Sequence, residues 1–259
     1  VSPVSRDKMV QKAIEVRGLK ITTEKIDIPV PHGPAFEGER VRKEQTGAEI
    51  GGKFSKAFEY LRMRKLEEVE NGKIEVIGPE IDKFEDGAAV PFAMIIDVAG
   101  RKMQSDFESV LERRIHSYLS EAMGVMHTGQ RNMIWTRVSK EARKAGLKFK
   151  HFGVIMHSKL LHDFPSIVDK VAVTIYTKEE DVLRLLPEAL KAFDERDERL
   201  SGLTDESVDI FYSCKLCQSY APNHVCIISP ERLGLCGAYN WLDGKAASEI
   251  NPTGGNEPV

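Results

Sequence analysis

Four cysteines, Cys214, Cys217, Cys226 and Cys236, are the only ones in this 259-residue chain, and all lie in the run CKLCQSYAPNHVCIISPERLGLC. Their spacing is C-x2-C-x8-C-x9-C, and a chance scatter of four cysteines would almost never cluster so tightly. Two cysteines separated by two residues can turn both sulfurs toward one centre, and longer spacers let loops bring two more from other sides. Pro222, Pro230, Gly234 and Gly237 punctuate the region, which suits a ligand loop shaped by turns. The pattern therefore points to four thiolates around one point. Zinc ribbons usually present two C-x2-C pairs, whereas one pair followed by two single cysteines is commoner in iron–sulfur loops, so iron–sulfur is favoured with zinc left open. Two disulfides are the weaker alternative, because nothing else in the chain looks secreted.

The rest of the composition narrows the class. A net charge of -3 with 30% charged residues describes a mixed-sign surface and argues against a nucleic-acid partner. The longest apolar runs, such as residues 90–98 (VPFAMIIDV), are far too short to span a bilayer, and no secretory pattern opens the chain. Cysteine confined to one cluster fits a reducing compartment, so the expected location is cytoplasmic with no membrane span. The length suffices for one large or two modest domains.

The elements that must position the cysteines follow from periodicity. Residues 1–20 suggest a short helix after a linker, with Ser5 as N-cap and Gly18 closing it. Residues 21–56 carry a Pro- and Gly-rich loop. From Ala57 the pattern has period two, with Phe58 and Tyr60 on one side and Glu59 and Leu61 on the other. Asn71-Gly72 before KIEVIG is a hairpin signal. Residues 90–98 suggest one buried strand.

A helix is predicted over 106–123, with Phe107, Val110, Leu111, Ile115, Leu119 and Met123 as its apolar stripe, Ser105 and Glu108 as a capping box, Gly124 as its end and His116 exposed. Residues 131–159 hold Arg131, Arg137, Lys140, Arg143, Lys144, Lys148, Lys150 and Lys159 against the single acid Glu141. On composition alone SKEARKAG is the basic end of a helix, with Trp135 in the core. His151, His157 and His162 are spaced so that no two form a metal pair on a helix face, and are read as structural. Residues 171–176 (VAVTIY) suggest a strand, and residues 178–200 a helix kinked or restarted at Pro187, whose segment 194–199 (DERDER) is expected to be solvated.

The run FYSCKLCQSYAPNHVCIISPERLGLCGAYNW, with INPTGGNEP after it and GQRNMIWTRVSKEA and HFGVIMHSK before it, resembles the acetyl-CoA synthase subunit of the bifunctional carbon monoxide dehydrogenase/acetyl-CoA synthase over essentially the whole chain. The resemblance implies a [4Fe-4S] cluster held by Cys214, Cys217, Cys226 and Cys236, with Cys217 also bridging to a proximal nickel. Soft sulfur suits low-valent nickel, and a thiolate has lone pairs for two metals. It implies a distal nickel in a Cys-Gly-Cys segment that this sequence lacks, so the chain is read as an internal fragment. The expected fold is α+β: residues 1–20 a linker helix from a preceding domain, 21–186 a middle domain with a small sheet and packed helices, and 187–259 the first part of a cluster-binding domain.

By the same resemblance the basic stretch becomes a coenzyme A surface, with Arg131, Trp135 and Arg137 as its residues: guanidinium forks beside an aromatic plane suit an adenine ring with phosphates. Tyr220, where the family commonly carries Phe, would overhang the open face of the nickel as a catalytic residue, or else simply pack the loop. Trp241 is assigned to the core. The implied reaction is an acyl transfer, joining a methyl group from a corrinoid iron–sulfur protein, carbon monoxide from the dehydrogenase subunit, and coenzyme A, or the reverse cleavage. It would serve anaerobic carbon fixation by the reductive acetyl-CoA pathway, with ferredoxin a further partner. An iron–sulfur electron carrier without nickel and a structural zinc domain are the readings from other classes.

Overall fold

The computed structural model describes residues 8, 12, 15–16, 25–33, 36, 38–219, 221–237 and 239–259. The caps assigned to the first helix, Ser5 and Gly18, lie outside them. The fold is α+β, as expected, and two four-stranded sheets organise it.

The first sheet runs β4-β1-β7-β6, from β1 (Thr46–Gly51), β4 (Ala88–Val90), β6 (Val125–Thr128) and β7 (Trp135–Ser139). The second runs β2-β5-β8-β3, from β2 (Ala57–Met63), β3 (Ile74–Ile77), β5 (Phe92–Ala99) and β8 (Lys170–Tyr176). Both mix parallel and antiparallel pairs. The apolar run 90–98 is therefore two strands: Pro91, which has no N–H to give a ladder, separates β4 in one sheet from β5 in the other.

The Asn71-Gly72 turn forms without a hairpin. Asn71 Oδ1 accepts from the Val171 N–H at 3.0 Å and the Gly72 N–H donates to the Val171 carbonyl at 2.9 Å, so β3 is steered into parallel pairing with β8.

Alternation along β5 gives the second sheet two covered faces. Met94, Ile96 and Val98 face α1 (Glu108–Tyr118) and α3 (Phe149–Asp163), where the rings of Phe92, Phe149 and Phe152 meet with centroids 5.6 to 6.2 Å apart. Ala93 and Ile95, with Phe58 and Tyr60, face Val182, Ala189 and Phe193 of α4 (Glu179–Glu198). α4 runs unbroken through Pro187, and its apolar stripe belongs to this first unit.

Four expectations change here. The helix predicted over 106–123 is shorter: α1 is flanked by 3-10 turns at Ser105–Phe107 and Leu119–Glu121, and Gly124 at φ 79 ends the run. The Ser105–Glu108 capping box does not form: Ser105 lies in the 3-10 turn, Phe107 is the N-cap of α1, and the Glu108 carboxylate accepts from Arg196 and Arg199 instead. The segment 194–199 is not wholly solvated: Arg196 is buried, paired with Glu108 and Glu112 and donating to the Leu61 carbonyl. His116 is half-buried and close enough to His127 to affect its titration.

The cysteine-bearing unit is smaller. β9 (Tyr212–Cys214) pairs antiparallel with β10 (Cys226–Ile228), and residues 255–259 run along the other edge of β9. α5 (Trp241–Ile250) closes the unit against β9, so tightly that a Cβ on Gly244 would meet Tyr212 Cβ at 2.9 Å. An ion pair joins the units: Arg113 on α1 donates to Asp243 on α5 at 2.6 Å, and Asp243 is fully buried. Among the described residues no helix is long and apolar enough to cross a membrane.

Candidate metal centre

Cys214 and Cys226 are cross-strand partners on β9 and β10, which points their side chains to the same face of the ribbon. Cys217 sits between them on a 3-10 turn, Leu216–Ser219, that opens the connection. All four cysteines are free thiols, graded from buried Cys214 through half-buried Cys217 and Cys226 to exposed Cys236. Cys214 packs with Ile228 and Tyr239 in a small core, and a Cβ on Gly234 would lie 3.5 Å from Cys236 Sγ and 3.4 Å from Tyr239 Cβ.

Burial pushes the Cys214 thiol up, as do the charges of Cys226 and Cys217, while hydrogen bonds from the Leu216 backbone and the Asn256 side chain pull it down. A cation at the site would invert the first effect, because a thiolate beside it is stabilised. His224 Nε2 lies 3.2 Å from Cys226 Sγ. Burial also pushes the Tyr239 hydroxyl up, followed by the charge of Asp243.

Among the described residues no group of three or more His, Cys, Asp or Glu side chains is arranged to hold a metal ion. The cysteines stand as neighbours along the ribbon and its flanking loop, not as a closed shell around an ion. Four free sulfurs at one end of a domain, two of them cross-strand partners, are nonetheless a donor set that fits a thiolate-held cluster. Tyr220 lies outside the described residues.

The second constellation is brought together in part. Trp135 and Arg137 alternate on β7 and meet in space, the guanidinium 4.8 Å from the indole centroid. Glu49 on β1 holds both: its Oε1 accepts from Trp135 Nε1 at 2.8 Å and from Arg137 Nε at 2.8 Å. With Gly52, Lys53 and Phe54 they line an open pocket of about 380 Å³, in which Lys53 lies 5.6 Å from the Phe54 ring. Trp135 is half-buried and not a core residue.

Arg131 points elsewhere. Its guanidinium binds Glu112 at 2.5 Å and Asp197 at 2.7 Å and stacks 5.2 Å from Phe193. The basic run after β7 behaves as a helix end: Ser139 Oγ accepts from the Ala142 N–H, and Arg143 reaches back to the Gly47 and Phe84 carbonyls. His151 and His157 hydrogen-bond Lys148 and Asn71, and His162 bonds Asp163, as structural residues do. Trp241 is half-buried, its Nε1 donating to the Ile210 carbonyl.

Sequence reasoning missed Glu49, Tyr239 and Asn256. Glu49 looks like any strand acid. Asn256 announces itself only through register, since the segment 255–259 has no strand signature.

Two family profiles match the chain: residues 28–182 match that of the CO dehydrogenase/acetyl-CoA synthase complex beta subunit, and residues 193–259 match that of the C-terminal part of the ACS/CODH beta subunit. The chain is 53% identical over 253 residues to the Moorella thermoacetica protein named carbon monoxide dehydrogenase/acetyl-CoA synthase subunit alpha, covering 98% of the chain and 35% of that relative. It is 42% identical over 249 residues to subunit beta 1 of the acetyl-CoA decarbonylase/synthase complex of Methanocaldococcus jannaschii, covering 96% and 33%. It is 44% identical over 228 residues to the beta subunit of the equivalent Methanothermobacter thermautotrophicus complex, covering 88% and 49%. The chain thus spans between a third and a half of the length of these curated relatives.

Proposed function

The chain belongs to the CO dehydrogenase/acetyl-CoA synthase beta-subunit family, and from that membership we propose that it forms the coenzyme A-facing and cluster-holding parts of an enzyme that assembles or cleaves acetyl-CoA. The observation that carries the reading is the pairing of Cys214 with Cys226 across the ribbon, with Cys217 on the turn between them. Cys214, Cys226 and Cys236 would hold iron of a [4Fe-4S] cluster, and Cys217 would hold iron while sharing its sulfur with a proximal nickel. When bound, that pair supplies a soft, electron-rich metal able to take carbon monoxide and a methyl group.

The chain's own residues divide the remaining work. Cys214 is packed away from water against Tyr239 and Ile228, whereas Cys217 is half-buried and within reach of solvent. Trp135 offers a plane for the adenine of coenzyme A, and Arg137 and Lys53 offer charge for its phosphates, with Glu49 fixing indole and guanidinium together. Arg131 braces α1 against α4 and is supporting framework for that surface. The methyl donor would be a corrinoid iron–sulfur protein, the source of carbon monoxide a dehydrogenase subunit, and ferredoxin an electron partner. Tyr220, three positions after Cys217, is the candidate for shaping access to the nickel.

Metal analysis of the full-length protein purified without oxygen tests this. Iron in cluster stoichiometry together with nickel, and exchange of labelled carbon monoxide into acetyl-CoA, is the expected result. Iron without nickel or exchange would favour an electron carrier, and zinc in place of iron would overturn the reading.

A further inference from the structure

Asn256 lies opposite Cys214. The Ser213 N–H donates to the Glu257 carbonyl at 2.8 Å, the Lys215 N–H donates to the Gly255 carbonyl at 2.9 Å, and Tyr212 bridges Pro258, an antiparallel register that leaves Cys214 and Asn256 facing each other. On the other side of β9 the register sets Cys226 against Cys214. Directly opposed residues in an antiparallel ladder project to the same face, so Cys226, Cys214 and Asn256 form one row across the ribbon.

The Asn256 side chain is 4% exposed, and its orientation is fixed by its neighbours. Its Nδ2 lies 2.9 Å from the Ser213 carbonyl, which can only accept, and its Oδ1 lies 3.2 Å from the Tyr239 hydroxyl, which can donate. Turning the amide over would set two acceptors against each other. The amide has two N–H groups: one meets Ser213, and the register sets the residue that carries the other on the same face as Cys214. Tyr239 is itself held, its hydroxyl 3.4 Å from the Asp243 carbonyl, and Asp243 is the residue paired to Arg113 of the first unit.

We propose that Asn256 is a positioning residue for the cluster, its side-chain N–H donating to the Cys214 sulfur and holding the cluster's reduction potential up; the inference rests on the [4Fe-4S] reading above. A donor aimed at a thiolate draws charge from the sulfur and so stabilises the more negative, reduced form. Because Asn256 is buried, water does not replace the donor when it is removed.

Two substitutions in the full-length protein test this. Asn256→Leu removes the donor at similar volume, and Asn256→Asp keeps the shape but sets a carboxylate oxygen beside the sulfur. Iron content is measured first, then the cluster midpoint potential by optical titration against mediators of known potential. A hydrogen bond to a charged acceptor is worth about tenfold in an equilibrium. Asn256→Leu is therefore expected to lower the potential by about 59 mV for a one-electron couple, and Asn256→Asp by more. An unchanged potential at full iron content would overturn the inference, as would loss of the cluster from both variants, which would make Asn256 structural. An unsubstituted protein that takes no iron–sulfur cluster fails at the first measurement and removes the functional reading itself.

Discussion

The two units of this chain hold their shape by different means. The first buries two apolar clusters, a large one around both sheets and a smaller one under α4, and sets charged pairs beside them: Arg196 to Glu108 and Glu112, Arg131 to Glu112, Lys159 to Glu121. The second has a small core of its own, Cys214, Ile228 and Tyr239, while Ala246 and Ile250 of α5 pack on the first unit's core, and its apolar side chains Leu216, Ile227, Leu233 and Leu235 are exposed. Packing alone is a strong determinant for the first and a weak one for the second. Ligation to a metal group is the interaction best able to make up the difference, since binding free energy of a site formed only in the folded state is folding free energy.

The sharpest way to break that contrast is to damage the first unit's charge network. Arg196 sits at the centre of it, nearly buried, between two nearly buried carboxylates. Arg196→Leu leaves Glu108 and Glu112 without it, Arg199 and Arg131 remaining at the edges. Removing one partner of a buried pair costs about 3–5 kcal/mol. Urea unfolding followed by far-ultraviolet circular dichroism should show that loss in the main transition, while the visible absorbance of the proposed cluster per folded molecule stays unchanged. A cluster lost in step with the main transition would mean that the two units are one cooperative body.

A second test uses pH. Glu59 on β2 is buried beside His127 on β6, with Glu59 Oε1 3.4 Å from His127 Nε2 and His127 Nδ1 2.7 Å from Thr136 Oγ1. Burial, then the charge of Glu112, pushes the Glu59 carboxyl up to about 8, and burial, then His116, pulls His127 down to about 3. Both groups are therefore neutral near pH 7. A carboxyl whose folded value is raised stabilises fully below its unfolded value, near 4.5, and loses that contribution as pH rises through about 8. The imidazole behaves in the opposite sense, contributing above about 6.5 and losing it as pH falls through about 3. Glu59→Gln should remove the alkaline loss, worth on the order of 1 kcal/mol per pH unit between those limits. Unfolding free energies of parent and variant at pH 5 to 8 check this; parallel curves would show Glu59 ionised in the fold.

What could be learned before the coordinates follows the same division. In the first unit, the 3.6 pattern located most of the apolar face: Phe107, Leu111, Ile115 and Leu119 are buried as the stripe on that helix requires, Val110 is half-buried, and Met123, beyond the helix end, is exposed. Periodicity did not reveal polar groups inside, because Arg196 and Glu59 look like surface charges until their partners, from residues far along the chain, are placed against them. Strand pairing was likewise hidden, since Asn71-Gly72 supplies a turn whatever strand follows it in the sheet. In the second unit the cysteine spacing carried the chemistry almost alone. The Cys214–Asn256 register depends on a Pro- and Gly-rich segment closing onto β9, and no periodicity marks such a segment.

The smallest test sharpens the contrast by applying one chemical change to each unit. Ser139 caps α2 (Lys140–Lys144) in the first unit, its Oγ accepting from the Ala142 N–H at 3.1 Å. Asn240 caps α5 in the second, its Oδ1 accepting from the Asp243 N–H at 2.9 Å while Asp243 Oδ2 accepts from the Asn240 N–H at 2.9 Å. Each substitution to alanine removes one cap and costs about 1 kcal/mol. Ser139→Ala should lower the main unfolding transition by that amount, because its helix is packed on the shared core. Asn240→Ala should instead raise amide exchange in the first turn of α5 and across β9 with little movement of the main transition, because the cap lies at the start of α5, ahead of Ala246 and Ile250, which pack on the large unit's core. An Asn240→Ala effect that appears only in the main transition would show that Arg113 and Asp243 bind the units into one.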